Sequence, residues 1–386
     1  MYYLDKYLIK KILNIILHIF WLFPVKNNTV MFINEHSHNF SDNLKYLALY
    51  IRENNKQSKI IYALNNFEEL KGTNILPVKL FSIKYFYYAL TSSVVVVNAG
   101  GISYLPLRKK QLSINTWHGG GPYKKTGVDS IKSIWYELQT KQNADNIDYL
   151  MSSCKICTEE EAKSLYYTEK QILNSGTPRI DMFFGDCCKL KNKVYKIYNI
   201  DRSKKLILYA PTYRGIFENY KGVIENNVLE LDYNKLIESA HKRFGGEWVF
   251  AVRLHPRLQK ININNENIIN MNTYPDVQEI LAASDILITD YSSIMWDYSF
   301  TKKPCFLFAT DLADYIKERG FYMEPSQWPF PIAQNNDELK INIEKFDEQA
   351  YIERLQKHYI DSGSYEQGCA CKIALNLILK HFNREE

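Results

Sequence analysis

Two histidines stand where short apolar runs give way to glycine, proline or arginine. His118 follows Gln111-Leu112-Ser113-Ile114-Asn115-Thr116-Trp117 and precedes Gly119-Gly120-Gly121-Pro122. His255 follows the run 248–252 with Arg253 and Leu254, and precedes Pro256. Pro211, Thr212 and Arg214 close the run 205–210, while Ser292, Ser293 and Asp297 follow Ile286-Leu287-Ile288-Thr289. Imidazole suits proton transfer near neutral pH. Arginine and the free N–H groups of a helix start suit phosphate oxygens. The glycine run lets backbone approach a ligand closely, and Lys124 and Lys125 add positive charge beyond it. With no nucleophilic Ser-His-Asp ordering, this set fits group transfer from a phosphate-bearing donor. Each piece also has an ordinary reading: a loop histidine, a surface Arg-His pair, a capped turn with Ser292 or Ser293 at the N-cap. Their shared place at strand ends weighs against coincidence.

The elements that must position these residues alternate short apolar runs with longer amphipathic segments. Residues 29–33, 59–64, 93–98 and 111–117 read as strands, and 41–53 and 80–90 as helices, the first begun by a Ser41-Asp42-Asn43 cap. A second cycle has strands at 205–210, 248–253, 268–271, 285–289 and 304–308, with helices over 232–244 and 275–283. Strands alternating with helices imply parallel βαβ units. Every polar cluster then lies at the carboxyl end of a strand, where open parallel sheets bind ligands. Two Rossmann-like domains facing across a cleft are expected, joined through the polar, lysine-rich region 186–204.

The 386 residues suit two domains, and 46% hydrophobic with 24% charged residues fits a globular protein. A net charge of +5 without a zinc-finger, RNA-recognition or helix-turn-helix pattern gives no ground for a nucleic-acid partner. Seven scattered cysteines, an odd number, read as reduced and intracellular, and Cys154-Lys155-Ile156-Cys157 lacks a second pair to complete a zinc site. No Asp-x-Asp pair offers the short spacing that holds a divalent ion for a nucleotide diphosphate. No metal or other cofactor is therefore expected.

At the N-terminus, Lys6, Lys10 and Lys11 precede an apolar stretch from Leu13 to Val25. It falls short of the roughly 20 residues that span a bilayer. Leucine, isoleucine, phenylalanine and tryptophan beside lysines suit a helix lying in the headgroup region. A helix docked on the protein's own core is the alternative.

Taken together, Thr116-Trp117-His118-Gly119, Lys124-Lys125, Pro178-Arg179-Ile180-Asp181, Tyr209-Ala210-Pro211-Thr212-Tyr213-Arg214, Arg253-Leu254-His255-Pro256 and Thr289-Asp290-Tyr291-Ser292-Ser293 resemble the CDP-glycerol glycerophosphotransferases. These are the teichoic acid primases and polymerases of bacterial cell envelopes. The resemblance runs over about residues 28–365 and implies an α/β, GT-B-like architecture. The implied domains are a membrane-associating segment (1–27), an acceptor-side domain (28–190), a CDP-donor-binding domain (200–365) and a C-terminal helix (366–386). It implies CDP-glycerol or another CDP-polyol as donor and a lipid-linked acceptor at the inner leaflet, on the cytoplasmic face of the membrane. His118 is implied as the base and His255 as the group that stabilises the donor phosphates. Trp117, Gly119, Gly120, Gly121, Pro122, Arg179, Pro211, Thr212, Arg253, Leu254, Ser292, Ser293 and Asp297 are implied to line the donor.

Two departures stand out. The family commonly has His-Gly-Thr-Pro where this chain has the longer His118-Gly119-Gly120-Gly121-Pro122, and Asn where it has Ile180. A sugar-nucleotide glycosyltransferase on the same fold, and a non-catalytic nucleotide- or glycan-binding protein of envelope assembly, are the other readings.

Overall fold

In a computed structural model, residues 2–35, 39–212, 231–254 and 265–383 are described. They form two compact units, 1–182 with 362–386, and 183–361.

In the first unit, β1 (Lys26–Ile33), β2 (Lys59–Leu64), β3 (Leu76–Lys79), β4 (Ser92–Val97), β5 (Leu112–Asn115), β6 (Tyr149–Ser152) and β7 (Ile172–Asn174) make one sheet in the order 3-2-1-4-5-6-7. All pairs are parallel. A strand covered on both faces needs apolar side chains at every position, and Val94 to Val97 are fully buried. Their alternation divides the core. Val30, Phe32, Val94 and Val96 pack with Leu44, Leu47 and Ile51 of α2 (Asp42–Asn54) and with Ala374 and Ile378 of the last helix, Ala370–Phe382. Met31, Ile33, Val95 and Val97 face Tyr85, Ala89 and Leu90 of α3 (Ile83–Thr91).

The second unit repeats the plan. β8 (Lys205–Tyr209), β9 (Trp248–Val252), β10 (Ile268–Asn270), β11 (Ile286–Thr289), β12 (Cys305–Phe308) and β13 (Ile332–Ala333) lie in the order 10-9-8-11-12-13, all parallel. Counted from β8, this is 3-2-1-4-5-6, the Rossmann order. In both sheets the strand order reverses beside the first strand, between β1 and β4 and between β8 and β11. That reversal opens a crevice at the strands' carboxyl ends.

The unit boundary lies between Met182 and Phe183, earlier than the polar region 186–204. Much of that region is a helix of the second unit, Cys188–Ile197, with Val194 and Tyr195 buried. Two of its lysines are ion-paired: Lys191 with Asp285 at 2.7 Å and Lys193 with Glu279 at 2.6 Å. The C-terminal helix is no separate piece. Asp181 accepts from the backbone N–H groups of Ala370 and Cys371 at 3.0 and 2.8 Å, tying that helix into the first unit.

The first helix, α1 (Tyr2–Leu17), is docked along one side. Leu17 is buried, Lys10 Nζ donates to the Gly101 carbonyl (2.8 Å) and Asn14 to that of Ser103 (3.2 Å). Its other side is bare: Leu8, Ile9, Ile12, Ile15 and Ile16 are 48–72% exposed, as is Ile19 just beyond its end. Among the described residues, no helix is long and apolar enough to cross a membrane. All seven cysteines are free thiols.

Candidate active site

In the first unit the chain leaves β5 through Thr116 and Trp117, whose backbone takes φ +54°, a left-handed conformation unfavourable to a bulky residue. Several partners hold it there. Trp117 N–H donates to the Asn115 side chain (2.9 Å), and Asn43 Nδ2 donates to the carbonyls of Thr116 (3.1 Å) and Trp117 (2.9 Å). The next residue, His118, is half-buried, with Nδ1 2.9 Å from the Asn98 carbonyl at the end of β4. A carbonyl only accepts, so Nδ1 carries a proton, and in the neutral ring Nε2 is the nitrogen with the lone pair. The ring lies against Trp117, with centroids 4.3 Å apart. Gly119 is half-buried, Gly120 and Pro122 are buried, and Gly121 N–H donates to Ser153 Oγ (3.2 Å).

Arg179 is buried, at 4% exposure. One of its terminal nitrogens donates to the His118 carbonyl and to Asp42 Oδ1, each at 2.7 Å. The other carboxylate oxygen of Asp42 accepts from Asn98 Nδ2 (2.9 Å), which also donates to Asn34 (3.0 Å). Burial alone would push the Asp42 carboxyl up, but the charge and hydrogen bonds of Arg179, with Asn98, hold it below its ordinary value. Asp42, Asn43, Asn98 and Asn34 are thus site residues that the sequence did not announce. The expected Ser41-Asp42-Asn43 cap is not formed: Ser41 makes no side-chain cap bond, and the next two side chains turn toward the His118 loop instead. Ile180, which stands where the family commonly has Asn, is fully buried.

In the second unit, Pro211 and Thr212 follow β8 and are half-buried. Thr212 N–H donates to both carboxylate oxygens of Asp290 (2.9 and 3.0 Å), and its hydroxyl to one of them. Asp290 also accepts from Tyr291 N–H, so one buried carboxylate joins the ends of β8 and β11. Ser292 and Ser293 are half-buried at the start of a short helix, Ile294–Ser299. The expected serine cap is absent, since Ser293 has helical backbone and makes no cap bond. Asp297 is buried and accepts from Gln278 Nε2 (2.9 Å). After β9, Arg253 donates to the carbonyls of Met271 (3.0 Å) and Tyr274 (2.6 Å), and burial lowers its pKa. Leu254 is buried, its N–H held by Asn272 (2.6 Å). His255 and Arg214 lie outside the described residues. Among the described residues, no three His, Cys, Asp or Glu side chains gather to hold a metal ion.

Two Rossmann sheets with histidine, serine and threonine at their strand ends agree with the comparison to known families. The CDP-glycerol:poly(glycerophosphate) glycerophosphotransferase profile matches residues 15–380. The chain belongs to that family. It is similar to the teichoic acid glycerol-phosphate transferase of Staphylococcus aureus (strain NCTC 8325 / PS 47), with 29% identity over 368 residues, covering 92% of this chain and 93% of that protein. It is also similar to the teichoic acid poly(glycerol phosphate) polymerase of Staphylococcus epidermidis (strain ATCC 35984 / DSM 28319 / BCRC 17069 / CCUG 31568 / BM 3577 / RP62A), again at 29%, covering 94% of this chain but only 52% of the polymerase. The solved wall teichoic acid polymerase TagF superposes with a TM-score of 0.80 at 29% identity, over 93% of this chain and 90% of that one. The two-domain, GT-B-like architecture is therefore that of this family.

Proposed function

We propose that this protein transfers glycerol phosphate from CDP-glycerol to a hydroxyl of a membrane-linked envelope polymer, releasing CMP. The acceptor oxygen attacks the phosphorus that carries glycerol, the bond from that phosphorus to the CMP oxygen breaks, and the acceptor proton leaves to a base. His118 Nε2 is that base. The observation that carries this role is the 2.9 Å contact between Nδ1 and the Asn98 carbonyl, which fixes the tautomer a general base needs. The strand ends of the second unit, with Pro211, Thr212, Ser292, Ser293 and Arg253, bind the cytidine diphosphate. His255 stabilises charge on the departing CMP. The step needs no metal ion: cationic side chains and backbone N–H groups take up the phosphate charge.

The bare apolar side of α1 rests on the inner leaflet, with Lys6 and Lys11 attracted to anionic headgroups. The acceptor is lipid-linked and meets the enzyme at that surface.

The test is CMP release from CDP-glycerol, CDP-ribitol and UDP-sugars with a lipid-linked acceptor. Release of CMP from CDP-glycerol, abolished in His118→Ala with donor affinity retained, is expected. Near-normal turnover by His118→Ala, or nucleotide release from UDP-sugars alone, would sink the proposal.

A further inference from the structure

Beside the His118 loop runs an unusual segment. After β6 the backbone winds as one π-turn, Cys157–Glu161, before closing into the short helix Ala162–Ser164. A π-turn carries one residue more than an α-turn and so displaces the chain beyond it. Here it lies against the loop that leaves His118. Gly127, at φ +53°, comes so near that a Cβ on it would stand 2.3 Å from the Ser164 carbonyl oxygen. Only glycine permits both that φ and that approach.

The last π-turn residue, Glu161, is half-buried and its carboxyl group gathers donors. The Thr126 hydroxyl donates to it at 3.3 Å, and the Trp117 indole and the Cys157 thiol lie close enough to favour its charged form. Trp117 and Thr126 bracket the loop that contains His118, Gly119, Gly120 and Gly121. The Trp117 ring in turn packs on the His118 imidazole, 4.3 Å between centroids. Trp117 needs such a hold, because its backbone is in the left-handed region (φ +54°). A small cavity lined by Trp117, Gly119, Ser153, Cys157 and Glu161 lies beneath.

We infer that Glu161 is a positioning residue for His118: it anchors the Trp117 indole, and the indole sets the imidazole. The inference rests on the reading of His118 as the base. Desolvation pushes the Glu161 carboxyl up to about 7, opposed by Trp117, Thr126, Cys157 and the charge of Lys124. The neighbouring Cys154 and burial keep the Cys157 thiol protonated. In either protonation state Glu161 keeps an oxygen able to accept from the indole N–H.

The experiment compares Glu161→Ala, Glu161→Gln, Trp117→Phe and Glu161→Ala/Trp117→Phe in the full-length protein. Misplacing a reacting group by about 1 Å costs up to about 100-fold in rate. Glu161→Ala is expected to lose about 10- to 100-fold in kcat, with KM for CDP-glycerol within about threefold. Glu161→Gln, which still offers an oxygen to the indole, recovers most of that turnover. Trp117→Phe, which keeps a ring but removes the N–H, loses a similar factor, and the double variant is no worse than either single one. A second readout follows the His118 imidazole by NMR, its resonance assigned by disappearance in His118→Ala. That resonance should move in Glu161→Ala and return in Glu161→Gln. An unmoved resonance, a glutamine variant as poor as the alanine one, or fully additive losses would each overturn the inference. Normal turnover by His118→Ala would instead remove the base assignment, and the resonance would still report whether Glu161 positions the ring.

Discussion

The Arg179 guanidinium donates to the backbone carbonyl of His118 at 2.7 Å. The same nitrogen binds Asp42 at 2.7 Å, and both side chains are largely buried. An arginine at a strand-end motif reads as a phosphate ligand, but here its charge is met by Asp42 and it holds the His118 loop. Its removal should therefore damage chemistry before donor binding.

For Arg179→Ala the expected outcome is a fall in kcat of about 100-fold or more, with CDP affinity changed less than about threefold. Stability should drop by about 3–5 kcal/mol, because Asp42 is left buried without its partner. Equilibrium dialysis with CDP, steady-state kinetics and urea titration read the three quantities. A loss of CDP affinity in step with kcat would return Arg179 to the donor site.

The raised pKa of Glu161 makes stability depend on pH. Between its ordinary 4.5 and about 7 the folded protein holds a proton that the unfolded chain releases. Folding is then favoured at the acid end of that window, and stability is withdrawn as pH rises through it. Glu161→Gln does not titrate. Its stability relative to the parent should improve from pH 5 to pH 8 by about 2 kcal/mol after allowance for partial exposure. Urea titrations at the two pH values measure this, and an unchanged difference would count against a desolvated carboxyl.

Asp290 accepts from Thr212 N–H, the Thr212 hydroxyl and Tyr291 N–H, so it joins the ends of β8 and β11, where the proposed donor site lies. Asp290→Ala should raise KM for CDP-glycerol about tenfold or more, leaving kcat at saturation within about threefold. Asp290→Asn should not rescue it. An amide has one accepting oxygen, and its NH2 would point at the N–H or hydroxyl of Thr212. Initial-rate kinetics over a wide donor range distinguish this from a direct role in the chemistry.

Residues fully buried in the sheets were legible because a strand covered on both faces must be apolar throughout, as Val94 to Val97 are. The edge strands of the first sheet were not. Leu76-Pro77-Val78-Lys79 contains a proline and is partly exposed, and Ile172–Asn174 has only three residues. The helix Cys188–Ile197 looked like a linker because the partners of Lys191 and Lys193, Asp285 and Glu279, lie far along the chain. The same limit governs the site. His118 showed itself by following a strand and preceding glycines. Asn98, just after β4, and Asp42, at the start of α2, hold its ring and its loop from elsewhere in the chain and resemble ordinary turn residues. Glu161 was hidden in the run Glu159-Glu160-Glu161, whose first two members are exposed and read as a solvated face.

On the outer side of α1, Ile12 and Ile16 are 58% and 59% exposed, one turn apart, while Leu17 and Lys10 hold the helix from the opposite side. Charges placed at Ile12 and Ile16 therefore leave the docked contacts intact and oppose only insertion into a headgroup layer. Ile12→Glu/Ile16→Glu should lose most of its co-sedimentation with vesicles containing phosphatidylglycerol, at least about tenfold in partitioning. Its melting temperature should stay within about 2 °C of the parent, since exposed substitutions cost little. Transfer to a short water-soluble acceptor should continue, whereas transfer to an acceptor embedded in vesicles should fall with binding. Undiminished vesicle binding would show that this apolar side is not the membrane contact.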